Sequence, residues 1–557
     1  MRTSNGARAM ISVALLAMIA ASAAYSGSAP VKAQVPSDDR CAALAGLMLD
    51  NVEITRAELQ PANQPVPGAF LPDFTGLGKG PPVSGLPAFC RVAGTIRPEA
   101  RSDIRFEVWL PREAWNGRFA GVGVGGFAGS ISYYEMAAAL KAGQATAATD
   151  TGHQANGMDS TWARGNPAAI RDYGWRAIHL TAVNAKRIVA DYYGRPADKS
   201  IFNGCSGGGR QALIEASRFP EDYDGIIAGA PASRFTQLLM SMTWTQQVQL
   251  PEGAALKPEQ AGFIGSEVRA QCDALDGQTD GSIADPRQCR FDVSKLACGT
   301  SSSPQCLSPA QVAAVSKMMD GPRNSRGRQL AFPYSMTASI KGYPAAQLGW
   351  EGWIMRGGKD TPANSLFPTG MLRDFVAEPF TDMASFNWDH DPARLHAETA
   401  ADLDAGPDMR RFFARGGKLI MWHGWADAAI PAEMSLGFYN DMLRASGPRA
   451  RQNSRLFLIP EMQHCAGGTG ASTFGHTGAP AQGENPERHL GMAMQQWVEK
   501  GRAPESVIGS KGFDLFSAAS ETKPQRLHCA WPKQPVLTPG ADPDKAASYS
   551  CKLPLRR

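Results

Sequence analysis

The run Lys199-Ser-Ile-Phe-Asn203 is followed, with no spacer, by Gly204-Cys205-Ser206-Gly207-Gly208 and then by a helical stretch from Arg210 to Arg218. No other feature of this 557-residue chain restricts its fold as strongly. A buried strand that turns straight into a helix belongs to a parallel α/β sheet. The residue at the apex must take strained backbone angles, and its neighbours must be small. In that geometry Ser206 Oγ stands clear of the sheet. The N–H of Gly207, at the start of the helix, faces the place where negative charge would develop on an oxygen. A bare G-x-S-x-G also occurs in ordinary turns. Its position between a strand and a helix makes it a candidate nucleophile site.

The same alternation recurs along the chain. Strand-like runs cover Ile104–Leu110, Phe119–Val124, Ala145–Thr149 and Tyr223–Ala228, and a long amphipathic helix is predicted over Ala169–Tyr193, closed by Gly194. After a gap come a strand at Lys418–Trp422, a helix at Pro431–Leu443, a strand at Arg455–Ile459 and a helix at Glu487–Lys500. This is an α/β pattern. Between Pro231 and about Arg415 the strand signals fade, and the stretch is too long for a plain loop. The expected organisation is a sheet domain made of residues 34–230 and 416–557, interrupted by an inserted lid domain at 231–415. Residues 41–90 read as irregular, because Pro61, Pro65, Pro67, Pro72, Pro81 and Pro82 break any helix.

Composition narrows the function. With 43% hydrophobic and 19% charged residues the chain can bury a large core. The formal net charge of +4, which falls to +1 without Arg2, Arg8 and Lys32, suggests no nucleic-acid partner. Residues 1–33 have the form of a signal peptide: Arg2 and Arg8 precede the apolar stretch Met10–Ala24, with small residues at Val31-Lys32-Ala33 and a competing cut at Ala21-Ser22-Ala23. Removal of that leader leaves no membrane segment, and the expected location is secreted or periplasmic. All ten cysteines lie after it, an even number suited to an oxidising compartment. Sequence alone does not fix their connectivity. Local spacing suggests Cys272 with Cys289, Cys298 with Cys306, and Cys529 with Cys551, while Cys41 and Cys90 bracket the proline-rich segment and Cys205 and Cys465 remain.

A serine nucleophile needs an acid and a histidine, and after an elbow they follow in that order. The loop after the strand Lys418–Trp422 supplies Asp427, and the loop after Arg455–Ile459 supplies His464. His464 would take the proton from Ser206 while Asp427 holds the imidazole tautomer. His423, in the same loop as the acid, is the rival base and is assigned to the pocket wall. The glycine run Gly121-Val122-Gly123-Val124-Gly125-Gly126-Phe127 offers a second oxyanion donor beside Gly207; Gly125 and Gly126 are both candidates, with Gly126 the assignment. The segment Cys272–Ser282 carries three carboxylates within eight residues, with glycines among them, which suits a hard cation bound by oxygen, although its spacing is not that of an EF-hand.

Cys205-Ser206, Asp427 and His464-Cys465 together resemble the CS-D-HC motif of the tannase and feruloyl esterase family. The resemblance extends over nearly all of the mature chain, including Trp115-Asn116-Gly117-Arg118-Phe119, Asp150-Thr151-Gly152-His153 and the ten cysteines. It implies an α/β-hydrolase fold, a large lid, and a disulfide joining the neighbours of the nucleophile and the base. It also implies a structural Ca2+ held by the side chains of Asp273, Asp276 and Asp280 with the carbonyls of Gln278 and Ser282. The activity implied is serine ester hydrolysis of small aromatic esters, of feruloyl or hydroxycinnamoyl type. Galloyl esters and mono(hydroxyethyl) terephthalate are the alternatives, and a non-catalytic calcium-dependent binding protein is the reading from another class. Of the aromatics scattered through the insertion, Trp244, Trp350, Trp353 and Phe367, the pocket assignment takes Trp350 and Phe367 along with His423. An arginine that would grip a second substrate carboxylate has no obvious place in Pro362–Phe367, and Arg356 is a loose candidate.

Overall fold

Nine strands form the main sheet of the computed structural model: β1 (Val52–Gln60), β2 (Phe89–Ile96), β3 (Ile104–Pro111), β4 (Arg118–Val122), β5 (Ala145–Thr149), β6 (Lys199–Cys205), β7 (Gly225–Gly229), β8 (Lys418–Gly424) and β9 (Ser454–Ile459). Their spatial order is β1-β2-β3-β5-β4-β6-β7-β8-β9. Strands β1, β2, β3 and β5 pair antiparallel in turn, and every pairing from β5 through β4 to β9 is parallel. The inverted order of β4 and β5, followed by a parallel run into β9, is that of an α/β-hydrolase sheet, extended at one edge by β1. The structure describes residues 38–67, 80–342, 349–477, 479, 485–511 and 524–554. The predicted leader lies outside them, and Pro36–Arg557 forms one compact unit.

The central strands are apolar on both faces, because each face is covered. Neighbouring residues on one strand enter different hydrophobic clusters. Phe202, Ile226, Leu419, Met421 and Leu456 face one core, which the helix Ala177–Tyr193 covers with Ile178, Ala182, Ala185, Ile188 and Val189. Ile201, Ile227, Ile420, Trp422 and Phe457 face the other, covered by Leu490, Met494 and Trp497 of the helix Leu490–Lys500. Truncating a buried residue such as Ile226 or Ile227 to alanine would cost about 2–5 kcal/mol. One glycine is dictated by this packing: a Cβ on Gly229 would lie 2.2 Å from Trp422 Cζ2, so no other residue fits beneath the indole.

Several expectations shift. The predicted helix Ala169–Tyr193 begins at Pro167 and is interrupted by a π-helical turn at Asp172–Arg176 before running on to Tyr193. The segment expected to be irregular contains β1, whose register shifts between Ile54 and Arg56. Two small antiparallel pairs, Ser506–Ser510 with Gln525–Cys529 and Gln534–Leu537 with Tyr549–Lys552, close the chain. Disulfides join Cys41–Cys90, Cys205–Cys465, Cys272–Cys289, Cys298–Cys306 and Cys529–Cys551.

Between β7 and β8 the regular elements of the described chain are helices, the longer ones at Phe235–Gln247, Ala261–Cys272, Pro309–Asp320, Ala363–Asp374 and Asp391–Leu403. Their apolar faces share one core with Phe127, from the loop after β4, and with Tyr173. The insertion is therefore built onto the loop that borders Ser206.

Candidate active site

Ser206 sits between β6 and the helix Gly207–Arg218 with φ 63° and ψ −123°, a region that a residue with a Cβ enters only under strain. Its N–H donates to Gly229 O at 3.0 Å, and its carbonyl accepts the first helical bond from Arg210 N. The turn closes because Gly204 and Gly208 touch: a Cβ on Gly204 would lie 2.6 Å from the backbone of Gly208. The three side chains expected to work together meet. His464 Nε2 is 3.0 Å from Ser206 Oγ, and His464 Nδ1 is 2.7 Å from Asp427 Oδ2. A carboxylate only accepts, so Nδ1 carries the proton, and Nε2 is left to accept from the serine hydroxyl.

Asp427 is buried. Burial works against its charge, yet the carboxyl is held well below the usual carboxylate range by the charge of His464 and by hydrogen bonds from His423 and His464. Its other oxygen accepts the N–H groups of Ala429 and Ile430, both at 2.8 Å. His423, assigned from the sequence to the pocket wall, lies on the far side of the acid from Ser206. It is fully buried behind Asp427, with Nε2 3.1 Å from Asp427 Oδ2 and 3.1 Å from Ile430 O, and Nδ1 2.7 Å from Ser435 Oγ. Proximity in sequence to the acid put it beside the triad but could not say on which side.

The histidine loop is anchored from three directions. The disulfide Cys205–Cys465 joins the neighbours of Ser206 and His464 at a Cα–Cα distance of 6.1 Å. Glu461 is buried, and its carboxylate accepts N–H groups of the insertion: Ser339 at 2.7 Å, Ile283 at 3.2 Å and Ala338 at 3.4 Å. Gln463 Nε2 donates to Ser339 O and Lys341 O at 3.0 and 2.9 Å. Finally, His476 Nε2 donates to Cys465 O at 3.0 Å, and burial pushes that imidazole down to about 3, so it stays neutral. Glu461 and Gln463 carried no motif. The only signal for them was their place in a loop leading to a candidate base.

The loop after β4 reaches the nucleophile. Val124 N–H donates to Gln211 Oε1 on the nucleophile helix at 3.1 Å, and Gly123 packs so closely that a Cβ there would meet Gly208 Cα at 2.6 Å. Gly125 lies against Ser206, where an added Cβ would be 3.8 Å from the serine Cβ. Gly126, with φ +59°, packs on Gly157, where an added Cβ would meet the carbonyl oxygen at 2.5 Å. Among the aromatics, it is Trp353 that meets His464, the two rings 5.5 Å apart. Phe367 lies parallel to Trp353 at 6.3 Å and against Phe127 at 5.0 Å. Trp350 is buried in the core of the insertion. The guanidinium of Arg356 binds Gln246 Oε1 at 3.3 Å.

The aspartate loop is away from this constellation in chemistry but not in connection. Asp273 accepts N–H groups from Asp280, Gly281 and Ser282; Asp276 Oδ1 accepts Gln278 N–H at 2.9 Å; and Asp280 Oδ2 pairs with Arg526 at 2.9 Å. Burial, together with the like charges of Asp280 and Asp273, pushes Asp276 up to about 6. The loop thus holds hard oxygen donors with more negative charge than Arg526 offsets, which fits a hard cation. Its carboxylates are more spread than a closed ligand set. Among the described residues the tight three-ligand cluster is His179, Glu215 and Asp222, with ligand atoms within 4.8 Å. Burial and the neighbouring Asp222 raise the Glu215 carboxyl well above the usual range, and Lys186 reaches Asp222 Oδ1 at 3.5 Å.

Residues 90–552 match the family model described as tannase and feruloyl esterase. An uncharacterized esterase of Xanthomonas campestris pv. campestris is 36% identical over 541 residues, covering 92% of this chain and 91% of that protein. The mono(2-hydroxyethyl) terephthalate hydrolase of Piscinibacter sakaiensis is 32% identical over 538 residues, covering 85% and 86%. Among solved structures, feruloyl esterase B from Aspergillus oryzae superposes with a TM-score of 0.80 at 29% identity, over 92% of this chain and all of that one.

Proposed function

Since the chain belongs to the tannase and feruloyl esterase family and is a carboxylic ester hydrolase, we propose that it is exported and cleaves esters of aromatic acids of the feruloyl or hydroxycinnamoyl type through Ser206, His464 and Asp427. The observation that carries this reading is the continuous chain of hydrogen bonds from Ser206 Oγ through His464 to Asp427, at 3.0 and 2.7 Å. His464 Nε2 removes the hydroxyl proton as Oγ attacks the ester carbonyl. The carbonyl oxygen becomes an oxyanion, met by the N–H of Gly207 and by one from the Gly125–Gly126 pair. One such donor typically contributes a factor of about 10²–10³. His464, now cationic beside Asp427, passes the proton to the departing alcohol and leaves an acyl-enzyme on Ser206. Water, deprotonated by the same nitrogen, then releases the acid.

Trp353, whose ring meets that of His464, and Phe367, parallel to Trp353, support an aromatic acyl group. The engagement of Arg356 by Gln246 favours an acyl group without a second carboxylate. Terephthalate half-esters remain the second reading because of the Piscinibacter relative, and galloyl esters the third. Export is supported by five disulfides, and no helix among the described residues is long and apolar enough to cross a membrane. Ca2+, held by the carboxylates of Asp273, Asp276 and Asp280 and the carbonyls of Gln278 and Ser282, would offset the charge of its loop and stabilise the insertion, taking no part in bond cleavage.

The test is kcat/KM for methyl ferulate, methyl gallate and mono(2-hydroxyethyl) terephthalate, with Ser206→Ala as the blank. Ferulate should lead by at least about tenfold, a difference of 1.4 kcal/mol in transition-state binding. A lead by gallate or the terephthalate half-ester reassigns the acyl pocket. A folded wild-type protein that turns over none of them, and whose Ser206 resists phosphonates, is a binding protein.

A further inference from the structure

Oδ2 of Asp427 is shared by two imidazoles, and only one of them reaches the nucleophile. His423 Nε2 lies 3.1 Å from that oxygen and 3.1 Å from Ile430 O. Both are acceptors, so Nε2 carries a proton. Nδ1 lies 2.7 Å from Ser435 Oγ, whose hydroxyl donates to it when the ring is neutral. With Ala429 N–H and Ile430 N–H on the opposite oxygen, the carboxylate has four donors and little freedom to rotate. We infer that His423 is a positioning residue for the reaction: a neutral N–H donor, fixed in tautomer by Ser435, that orients Asp427 toward His464 and reduces the carboxylate's pull on the His464 proton. This rests on the triad proposed above.

The burial of His423 excludes it as a base, since both nitrogens are engaged away from Ser206. Its neutrality matters too. A second cation on Asp427 would oppose the charge that His464 gains as Ser206 attacks. The groups that face this cluster are Asp427 and His464 themselves; Glu433, whose carboxylate is buried and bonded by Ser335 Oγ; Arg287, beside Glu433; and Tyr334, whose hydroxyl donates to Ala429 O at 3.0 Å. None of them places another donor on Asp427 Oδ2 among the described residues, so the two imidazoles share that task.

The sign of the effect follows. Without the His423 donor, Asp427 is a stronger acceptor and holds His464 in its cationic form to higher pH. The base is then lost over a wider acid range.

The experiment follows the rate at which a fluorophosphonate labels Ser206 as a function of pH, a readout independent of acyl preference. His423→Leu, confirmed folded by its melting curve, should label about 10–100-fold more slowly, with its acid limb raised by roughly half to one pH unit. His423→Gln, which returns an N–H near Nε2, should keep the wild-type limb. A merely structural role would slow both variants and move neither limb. His423→Leu with wild-type rate and limb overturns the inference, and so does an equal shift in the Gln variant. Should His423→Leu fail to fold, Ser435→Ala decides: its limb rises if Ser435 fixes the tautomer, and a wild-type limb overturns the claim. His464→Ala separates this from failure of the triad. Normal labelling in that variant would mean that His464 is not the base, whatever the His423 variants do.

Discussion

Replacing both Cys205 and Cys465 with serine should lower kcat in the molecules that stay folded, an effect separate from its cost in stability. The bond closes a loop of 260 residues. In the chain-entropy picture, loss of so long a closure costs about 5–6 kcal/mol of stability. Unfolding entropy is about 2.1 cal/mol/K per residue, so across Pro36–Arg557 that loss lowers Tm by only ~5 °C. The catalytic effect has a different origin. Ser206 and His464 each adjoin one half of the bridge, and their bond is 3.0 Å long. Glu461, Gln463 and His476 still hold the histidine loop, so it stays in place on average but gains freedom toward the elbow. A displacement of about 1 Å at this contact can reduce rate on the order of a hundredfold. The assay is kcat at 25 °C, well below either melting point, with Tm measured alongside and the pairing first verified by peptide mapping without reduction. A folded double variant with normal kcat would refute the reasoning, leaving the bond a stabilising crosslink alone. A different partner for Cys205 would refute it sooner.

Glu461→Ala leaves three buried N–H groups of the insertion unpaired, which should cost about 3 kcal/mol or more in urea unfolding and lower kcat through the loosened histidine loop; unchanged turnover would remove Glu461 from the account. Chelation should lower Tm by a few degrees, since a ligand at a hundred times its Kd adds about 2.7 kcal/mol, and elemental analysis should find calcium; an unchanged Tm with no metal present would retire the aspartate loop as a site. His476→Gln tests the neutral donor on Cys465 O. Folding depresses the proton affinity of His476, so wild type loses stability once pH falls below about 6.5, where only the unfolded chain takes the proton. The advantage of wild type over the variant should therefore shrink by about 1.4 kcal/mol per pH unit between pH 6 and 4, and a constant difference would contradict the assignment.

The meeting of Ser206, His464 and Asp427 was legible because it follows local rules. An elbow announces itself by glycines around a serine, and the acid and base occupy loops after strands whose apolar runs are easy to read. The central strands β6 to β9 are buried on both sides and so appear as unbroken apolar runs. Strand β1 is half exposed, and its alternation of Val52, Ile54, Ala57 and Leu59 is broken by the register shift at Ile54–Arg56, so it vanished among the prolines that follow. The π-helical turn at Asp172–Arg176 leaves helical periodicity almost intact and has no sequence signature. Side-chain direction was the deeper limit. His423 and Trp353 were both visible as residues near the site. His423 turns inward to partners within twelve residues, Asp427, Ile430 and Ser435, but the side a loop side chain faces is set only once the loop folds; that Trp353 rather than Trp350 meets His464 depends on packing between segments more than a hundred residues apart. Glu461 was invisible for the same reason, since its partners belong to the insertion.

The central claim is that Ser206 carries the acyl group. Wild-type enzyme turning over a feruloyl ester is quenched in acid within the first turnovers and digested, and the peptides are sequenced by mass spectrometry. The account predicts a feruloyl adduct on Ser206, absent from Ser206→Ala, which hydrolyses the ester no faster than the blank reaction. An adduct on any other residue, or a folded Ser206→Ala variant with wild-type turnover, would contradict it.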